Sequence, residues 1–274
     1  MAKNPSPDFV LRPFEGLPGE TDWVAMREIV PSATATARTT AEYGARDVTV
    51  VTLLPGAWTA LHRTDGAVLL AVQGIVGSGD VSRDLAAALL EALELEPGTA
   101  VEAGGLPGEG PRLQDVLDPT VPFEVTVHDS FDYWLAPDAD VDPELKQNLE
   151  DAADGAIPTV KVPSVESAYW CRMTREFLRW ARPEPEDDVI DAISRLHAKR
   201  ESGLAGGRFV GAFRASGLVV PVWELPRGTT AEDLEGPVAE LGEKFAKALS
   251  TTEPLDANER RARAGIVSRQ VTLR

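Results

Sequence analysis

The residues best placed to bind a ligand surround a predicted hairpin turn. His62, Arg63 and Asp65 lie within LHRTDG, in which Asp-Gly is a strong turn-forming pair. A second predicted hairpin, AFRASG, aligns with this stretch and carries Arg214 at the position of Arg63. An imidazole, two guanidinium groups and a carboxylate at such turns could bind a small charged ligand in one pocket. We therefore name His62, Arg63, Asp65 and Arg214 as candidate ligand-binding residues.

Two other polar groups have simpler structural explanations. The stretch HDSFD (128–132) offers one histidine and two carboxylates, but no second histidine at helical spacing and no cysteine, so no metal site is predicted. Cys171 has an arginine beside it that could activate a thiol. A small apolar residue buried in a strand explains the same position, and we expect Cys171 to be buried.

The stretch GSGDVS (77–82) imitates a phosphate-binding loop between a strand and a helix. Ser82 stands in place of the third glycine, and Asp80 would repel a phosphate at the start of the helix. Asp80 or Ser82 acting as a helix cap explains the same residues. The acidic run at 184–188 opens a predicted helix, where carboxylates are favoured by the helix dipole. The sequence thus predicts no catalytic residue and no cofactor.

Adjacent aromatic pairs occur at Tyr133-Trp134 and Tyr169-Trp170. Neighbours in a strand point to opposite faces, so each pair would place one ring in the core and one elsewhere. Packing in the core and over the sheet is the expected role. An aromatic-lined groove for a peptide or a small apolar ligand is the alternative.

The C-terminal segment is basic in an acidic chain. Residues 258–274 carry five arginines against one glutamate, a net of +4, while the whole chain carries −17, which leaves −21 on the remainder. Asp256 and Glu259 have the spacing of a capping box, Gly265 supplies a helix stop, and the alternation beyond it predicts a terminal strand. We expect these arginines to bind anions or to pair with this protein's own acids, and name four of them: Arg260, Arg261, Arg263 and Arg269.

Hydrophobic periodicity and turn signals predict an α+β fold with antiparallel sheets and helices on one face. Helices are predicted at 21–30, 82–95, 142–155, 184–200, 230–250 and 256–265. Strands are predicted at 46–55, 67–74, 123–135 with a hairpin near Asp129-Ser130, 167–173, 177–183 and 207–226 with a turn at Ser216-Gly217. The segment 97–111, rich in glycine and proline, is predicted to be a loop.

The chain length suits one large domain or two small ones. We expect an irregular arm (1–20), a first α+β half (21–155) and a second (156–274), with one continuous domain as the alternative. The aligned stretches 61–72 and 212–223 suggest that the halves repeat a ββα order. Few residues are identical between them, so chance is an alternative explanation.

Composition indicates a globular cytoplasmic protein. Apolar residues make up 43% and charged residues 26% of the chain, which allows a substantial core. The longest apolar stretch is too short to span a bilayer, and the first residues lack the hydrophobic segment of a signal peptide. A single cysteine excludes an internal disulfide and fits a reducing compartment. No association with membranes is expected.

Several stretches together resemble one family: RPFEGLPGETDWVAMREIVPSATA (12–35), GPRLQDVLD (110–118), AYW and FLRWA (168–181), GRFVGAFRASGLVVPVWEL (207–225) and ERRARAGIVSRQVTLR (259–274). It is an uncharacterised actinobacterial family of unknown function, and the resemblance covers nearly the whole chain. Many relatives begin with a cysteine-rich zinc module of the type found in the SecA translocase. This sequence has one cysteine and no Cys-Pro-Cys-Gly, so the resemblance implies no zinc site here, and it supplies no catalytic residues.

The function that we favour is a protein-binding or adaptor module, for which an acidic surface suits a basic partner. The first alternative is a small-molecule-binding domain or enzyme with a site near the turns at 62–65 and 214–217. The second is phosphate or nucleic-acid binding through the C-terminal arginines, against which the acidic body argues by repelling phosphate backbones. The sequence does not specify an oligomeric state.

Overall fold

The computed structural model describes residues 9–74, 77–104, 108–139 and 143–269. The chain folds as α+β, as predicted, with two sheets whose strands pair mostly antiparallel. It divides into two compact units, residues 1–156 and residues 157–274. Among the described residues, no helix is long and apolar enough to cross a bilayer.

Unit 1 contains a six-stranded sheet. Its elements are α1 (Glu20–Glu28), β1 (Ala33–Arg38), β2 (Asp47–Val51), β3 (Ala60–His62), β4 (Val68–Ala71), α2 (Val81–Glu94), β5 (Thr99–Val101), α3 (Leu113–Val116), β6 (Val125–Val127) and α4 (Pro143–Asp154). The strand order is β5-β3-β4-β2-β1-β6. Only β2 and β4 pair in parallel among the described strands of this sheet.

One face of this sheet is covered by aromatic side chains. Val51, Leu61 and Leu69 form a buried cluster, and Tyr133 and Trp134 pack against it. The two rings belong to a short 3-10 turn at 132–134, which follows β6. The predicted strand at 123–135 with a hairpin is therefore wrong beyond Val127, because the aromatic residues fold back over the sheet instead of extending it.

Unit 2 contains a five-stranded antiparallel sheet. Its elements are β7 (Thr159–Lys161), β8 (Ala168–Arg172), β9 (Glu176–Trp180), α5 (Glu186–Ala198), β10 (Arg208–Ala215), β11 (Leu218–Glu224), α6 (Glu235–Leu249) and α7 (Ala257–Arg269). The strand order is β10-β11-β9-β8-β7. The predicted turn joins β10 to β11, with φ of 44° at Ser216 and 82° at Gly217, the left-handed conformation that tight hairpins require.

The core of unit 2 lies between one face of its sheet and the helices α5 and α6. Trp180 and Trp223 meet Ile193 of α5 and Phe245 of α6 in one buried cluster. Both indole groups are satisfied by carbonyls: Trp180 Nε1 donates to Glu166 O at 2.8 Å, and Trp223 Nε1 donates to Ser202 O at 2.8 Å. Burial of these large aromatic rings, with their N–H groups hydrogen-bonded, contributes to the stability of this unit.

Two further predictions of local structure need correction. The predicted loop at 97–111 contains β5, which pairs with β3. The predicted helix stop at Gly265 is also wrong, because α7 continues through Gly265 to Arg269. Ile266, on this last part of the helix, is 3% exposed and packs into the core of unit 2. The rest of the predicted terminal strand, residues 270–274, lies outside the described residues.

Candidate functional site

His62 is a buried residue that ties β3 to the end of α2. Its Nδ1 lies 2.6 Å from Leu95 O. A carbonyl can only accept, so Nδ1 carries the proton in this hydrogen bond. The backbone of the same residue accepts from Gly98 N at 2.6 Å. The side chain and the backbone of His62 thus both hold the turn that follows α2.

Arg63 connects two distant parts of unit 1. Its Nε and Nη2 donate to the Asp65 carboxylate at 2.9 and 2.7 Å. Its Nη1 donates to Tyr133 O at 2.9 Å and to Leu135 O at 2.8 Å. Four of the five N–H groups of a guanidinium are therefore engaged within the protein. The hydrogen bond from Arg63 also lowers the pKa of Asp65.

Arg214, the fourth candidate ligand-binding residue, lies in unit 2. Its Nε and Nη2 donate to the Glu186 carboxylate at 2.6 and 2.5 Å, which raises the pKa of the guanidinium. The structure thus brings His62, Arg63 and Asp65 together around one turn and gives Arg214 a carboxylate partner on α5. A ligand-binding role for these four residues stays a prediction.

In the segment 77–82, which resembles a phosphate-binding loop, the backbone amides are already bound by a side chain of α2. The amides of Gly77 and Ser78 both donate to Asp84 Oδ2 at 3.0 Å, so a carboxylate of α2 takes the place that an anion would need. Asp80 is the helix cap, as one of the predicted alternatives had it, and accepts from Ser82 N. Arg112 pairs with Asp80 at 2.7 Å.

His128 and Cys171 both have structural surroundings. His128 Nε2 lies 2.9 Å from Thr34 Oγ1, and no metal-binding group of three His, Cys, Asp or Glu occurs among the described residues. Cys171 is buried, as predicted, and burial raises the pKa of its thiol.

The C-terminal arginines contact unit 2 in different ways. Arg263 reaches α5, where its Nε donates to Asp191 at 2.7 Å and its Nη2 donates to Asp187 at 2.5 Å. Arg260 and Arg261 donate to Leu255 O and Asn258 Oδ1 near the start of α7. Arg269 ends α7, and its side chain lies outside the described residues.

The predicted capping box at the start of α7 is confirmed. Glu259 N donates to Asp256 Oδ1 at 2.8 Å, and Asp256 N donates to Glu259 Oε2 at 2.9 Å. Glu259 also receives a hydrogen bond from Arg195 at 3.3 Å, and both side chains are only 10% exposed. The residue that caps α7 therefore also docks the helix on α5.

A groove of about 780 Å³ lies in unit 1 between the segment 130–139 and α4. Its apolar lining comes from both walls: Leu135, Ala136 and Pro137 on one side, Leu149 and Ala153 on the other. Four charged residues also line the groove: Arg63, Asp132, Lys146 and Glu150. The alternative prediction for the aromatic pair at 133–134 was a groove for a peptide or a small apolar ligand, and Tyr133 does line this groove. The sequence did not indicate that α4 forms the other wall.

The wall of the groove is held rigidly against the sheet. The Tyr133 hydroxyl lies 3.1 Å from Thr52 Oγ1, and Trp134 Nε1 donates to Leu53 O at 2.8 Å. Burial raises the pKa of Tyr133, so the phenol stays neutral and available for these hydrogen bonds. Phe131 stacks on Trp134 with ring centroids 4.9 Å apart. Together with the two hydrogen bonds from Arg63 to Tyr133 O and Leu135 O, these contacts fix the wall formed by the segment 130–139.

The groove lies in the most acidic part of the chain. The segment 123–156 has ten acidic residues and one basic residue, Lys146, a net of −9 out of the −17 of the whole chain. Lys146 pairs weakly with Glu150 at 3.8 Å, and both are exposed. Asp132 forms no ion pair within the described part of the chain. The charged groups that line the groove itself balance, with Asp132 and Glu150 against Arg63 and Lys146, and the interior is largely apolar. The excess negative charge belongs to the segment around the groove.

Comparison with known proteins gives one match. Residues 13–274 match the model of DUF5926, which is described as a family of unknown function. This match confirms the resemblance seen in the sequence. No curated protein and no solved structure matches the chain.

Proposed function

The chain belongs to this family of unknown function, and we propose that it is a protein-binding module whose groove, set in an acidic segment, takes a basic, partly apolar segment of a partner protein. The observation that carries the proposal is the groove of about 780 Å³ between the segment 130–139 and α4. Apolar walls supply contact area and a few charged groups supply orientation, which is the usual composition of a binding cleft. We place the protein in the cytoplasm, where a single cysteine stays reduced.

Charge supports a basic occupant. Lysine or arginine side chains of a partner would meet Asp132 and Glu150 on the rim, and the remaining carboxylates of the segment 123–156 would attract them from a distance. Arg63 does not compete with the partner for these rim carboxylates, because its guanidinium is hydrogen-bonded to Asp65 and to two backbone carbonyls.

A small-molecule ligand is the second candidate. Arg63 lines the groove and has one N–H group left over after its four internal hydrogen bonds. A small anionic ligand could accept from that group, in keeping with the site near the turn at 62–65. The net negative charge of the segment 123–156 around the groove disfavours an anion, so we place this candidate second.

The test is the binding of a labelled peptide of alternating lysine and valine, followed by fluorescence anisotropy. Replacing both rim carboxylates (Asp132→Asn with Glu150→Gln) is expected to raise Kd about fivefold or more, since each exposed ion pair contributes up to about 1 kcal/mol. Ala153→Trp fills the groove from α4 and is expected to abolish binding. The matched control replaces two exposed acids of α6, Glu240→Gln with Glu243→Gln, and should leave Kd unchanged.

Two results would contradict the proposal. The first is an absence of binding by the unaltered protein at low salt. The second is equal loss of affinity in the groove variants and in the α6 control, which would mean that the peptide responds only to total charge. A small anion that binds better than the peptide, and is lost on replacement of Arg63, would favour the second candidate.

A further inference from the structure

The outermost strand next to the groove has an open edge. β6 pairs on one side with β1, in the register Ala33↔Val127, Thr34↔Thr126 and Ala35↔Val125. On its other side, no described strand of the sheet pairs with it. A strand in this position presents unpaired backbone groups to its surroundings, which is where a chain from another molecule can be added.

The hydrogen-bond register shows which backbone groups are open. His128 N donates to Ser32 O at 3.0 Å, which makes 32 and 128 a hydrogen-bonded pair. Such pairs alternate in an antiparallel ladder, so Thr34 and Thr126 form the next one. The N–H and C=O groups of Val125 and Val127 therefore point away from β1. The hydrogen bonds of β1 agree with this pattern: Ser32 O faces β6, and the next carbonyl, Ala33 O, faces β2 and accepts from Thr52 N.

These open groups lie directly beside the groove in the sequence. β6 ends at Val127, and Ser130 already lines the groove. The link between them is fixed, because the His128 ring packs on Tyr133 with centroids 5.6 Å apart and Ser32 Oγ donates to Ser130 O. The exposed acids Glu124 and Asp129 flank the strand. The chain thus passes from the open edge of β6 directly to one end of the groove at Ser130, with an exposed acid on each side of the strand.

We propose that a basic segment of the partner protein binds β6 as an added strand. The main chain of the segment pairs with the N–H and C=O groups of Val125 and Val127, and its neighbouring residues occupy the groove. This proposal rests on the proposed function and adds the conformation of the partner: it is extended, with alternate backbone amides facing β6. Side chains of lysine or arginine are selected by the acids along the edge.

A second copy of this chain is a poorer occupant of the same edge. Two copies pairing through β6 would bring together two segments of net charge −9. Like charges placed opposite one another across a strand pair are destabilising, whereas a basic strand removes this repulsion. The charge of the edge therefore favours a different, basic chain over self-association.

The experiment compares two backbone-methylated forms of the lysine–valine peptide. N-methylation of one alternate set of amides removes the donors that face β6, and methylation of the other set removes donors that face away. Kd is expected to rise about three- to tenfold for one form, the effect of losing hydrogen bonds, and to stay unchanged for the other. Each peptide serves as the control for the other, because both carry the same side chains.

Amide hydrogen exchange in the unaltered protein gives a second measurement. The Val125 and Val127 amides are expected to exchange fast in the free protein and to become protected when the peptide binds. The Thr126 amide, bonded to β1, should be protected in both states. Val127→Pro removes one outward donor without removing a hydrogen bond to β1, and should weaken peptide binding as much as methylation does.

The outcomes separate this inference from the proposed function. Equal binding of the two methylated peptides, with Val125 and Val127 unprotected, would overturn strand addition, while loss of binding in Ala153→Trp would still support the groove. No peptide binding at all would overturn both. Without peptide, the protection of the Val125 and Val127 amides could rise with protein concentration. This result would show that a second copy of the chain pairs with β6, and it would overturn the inference.

Discussion

At the scale of single residues, Arg63 joins parts of unit 1 that are 70 and 72 residues apart in sequence. Arg63→Ala would leave the Tyr133 and Leu135 carbonyls without their donor and free the Asp65 carboxylate. We expect the free energy of unfolding to fall by about 2–3 kcal/mol, measured by urea denaturation. Arg46→Ala is the control, since this exposed guanidinium has no ion pair within the described residues. Equal effects of the two changes would contradict a structural role for Arg63.

The same pair predicts a dependence of stability on pH. The hydrogen bond from Arg63 lowers the pKa of Asp65 in the folded protein, whereas an unfolded aspartate has a pKa of about 3.9. The stabilisation is therefore fully present above about pH 4 and is lost as the pH falls through the lowered folded pKa. Asp65→Asn should reduce the free energy of unfolding at pH 6, and the reduction should become smaller as the pH falls below about 4. A difference between the two proteins that does not change with pH would contradict this.

At the scale of elements, Gly265 shows how a sequence signal can mislead. A glycine after a capped basic helix predicts a stop, yet α7 passes through it, and Ile266 beyond it is buried. An added Cβ would meet no atom within 4 Å there, and the backbone is not left-handed. Gly265→Ala should therefore raise the free energy of unfolding by about 0.5–1 kcal/mol, the difference in helix propensity.

The control for Gly265 is Gly207, just before β10. A Cβ at Gly207 would lie 2.2 Å from Glu224 O, a backbone atom that cannot move aside cheaply. Gly207→Ala should therefore lower the melting temperature, and thermal denaturation of both variants measures the two effects side by side. A fall in melting temperature for Gly265→Ala would show that α7 is not helical at that position in solution.

Elements that begin or end at capping or turn residues could be predicted from the sequence. Elements whose position depends on contacts with residues far away in the sequence could not. The capping box of α7 and the turn at Ser216-Gly217 depend on neighbouring residues only. β1 (ATATAR) lacks large apolar residues and was missed, although its alternate alanines are buried. A groove at Tyr133-Trp134 was only an alternative prediction, because the contacts that place this wall join Tyr133 to Thr52 and Arg63, which lie far off in the sequence.

The internal repeat is a prediction that the element order alone does not decide. The ββα order occurs at β3-β4-α2, at β8-β9-α5 and at β10-β11-α6. The segment 123–155, which was expected to repeat it, has the single described strand β6 before α4. Short ββα units form readily wherever a hairpin must cover its apolar face with a helix, so their recurrence does not require a common origin.

At the scale of the whole molecule, charge is unevenly distributed along the chain. The segment 123–156 carries −9 and the segment 258–274 carries +4, within a total of −17. The basic segment is partly neutralised by its own unit, since Arg263 pairs with Asp187 and Asp191. The acidic segment contributes one wall of the groove, α4 and the edge of β6, and its sequence has ten carboxylates against Lys146. Long-range attraction is thus directed to the surface proposed to bind.

This distribution predicts opposite responses to a basic peptide and to RNA. The Debye length falls from about 10 Å at 0.1 M salt to about 3 Å at 1 M, so the Kd of the lysine–valine peptide should rise about tenfold over that range. A single-stranded RNA should not bind even at 0.1 M, because the acidic body repels its phosphates more than the C-terminal arginines attract them. Anisotropy titrations with both probes measure this directly. RNA binding that disappears when residues 258–274 are removed would instead assign anion binding to those arginines.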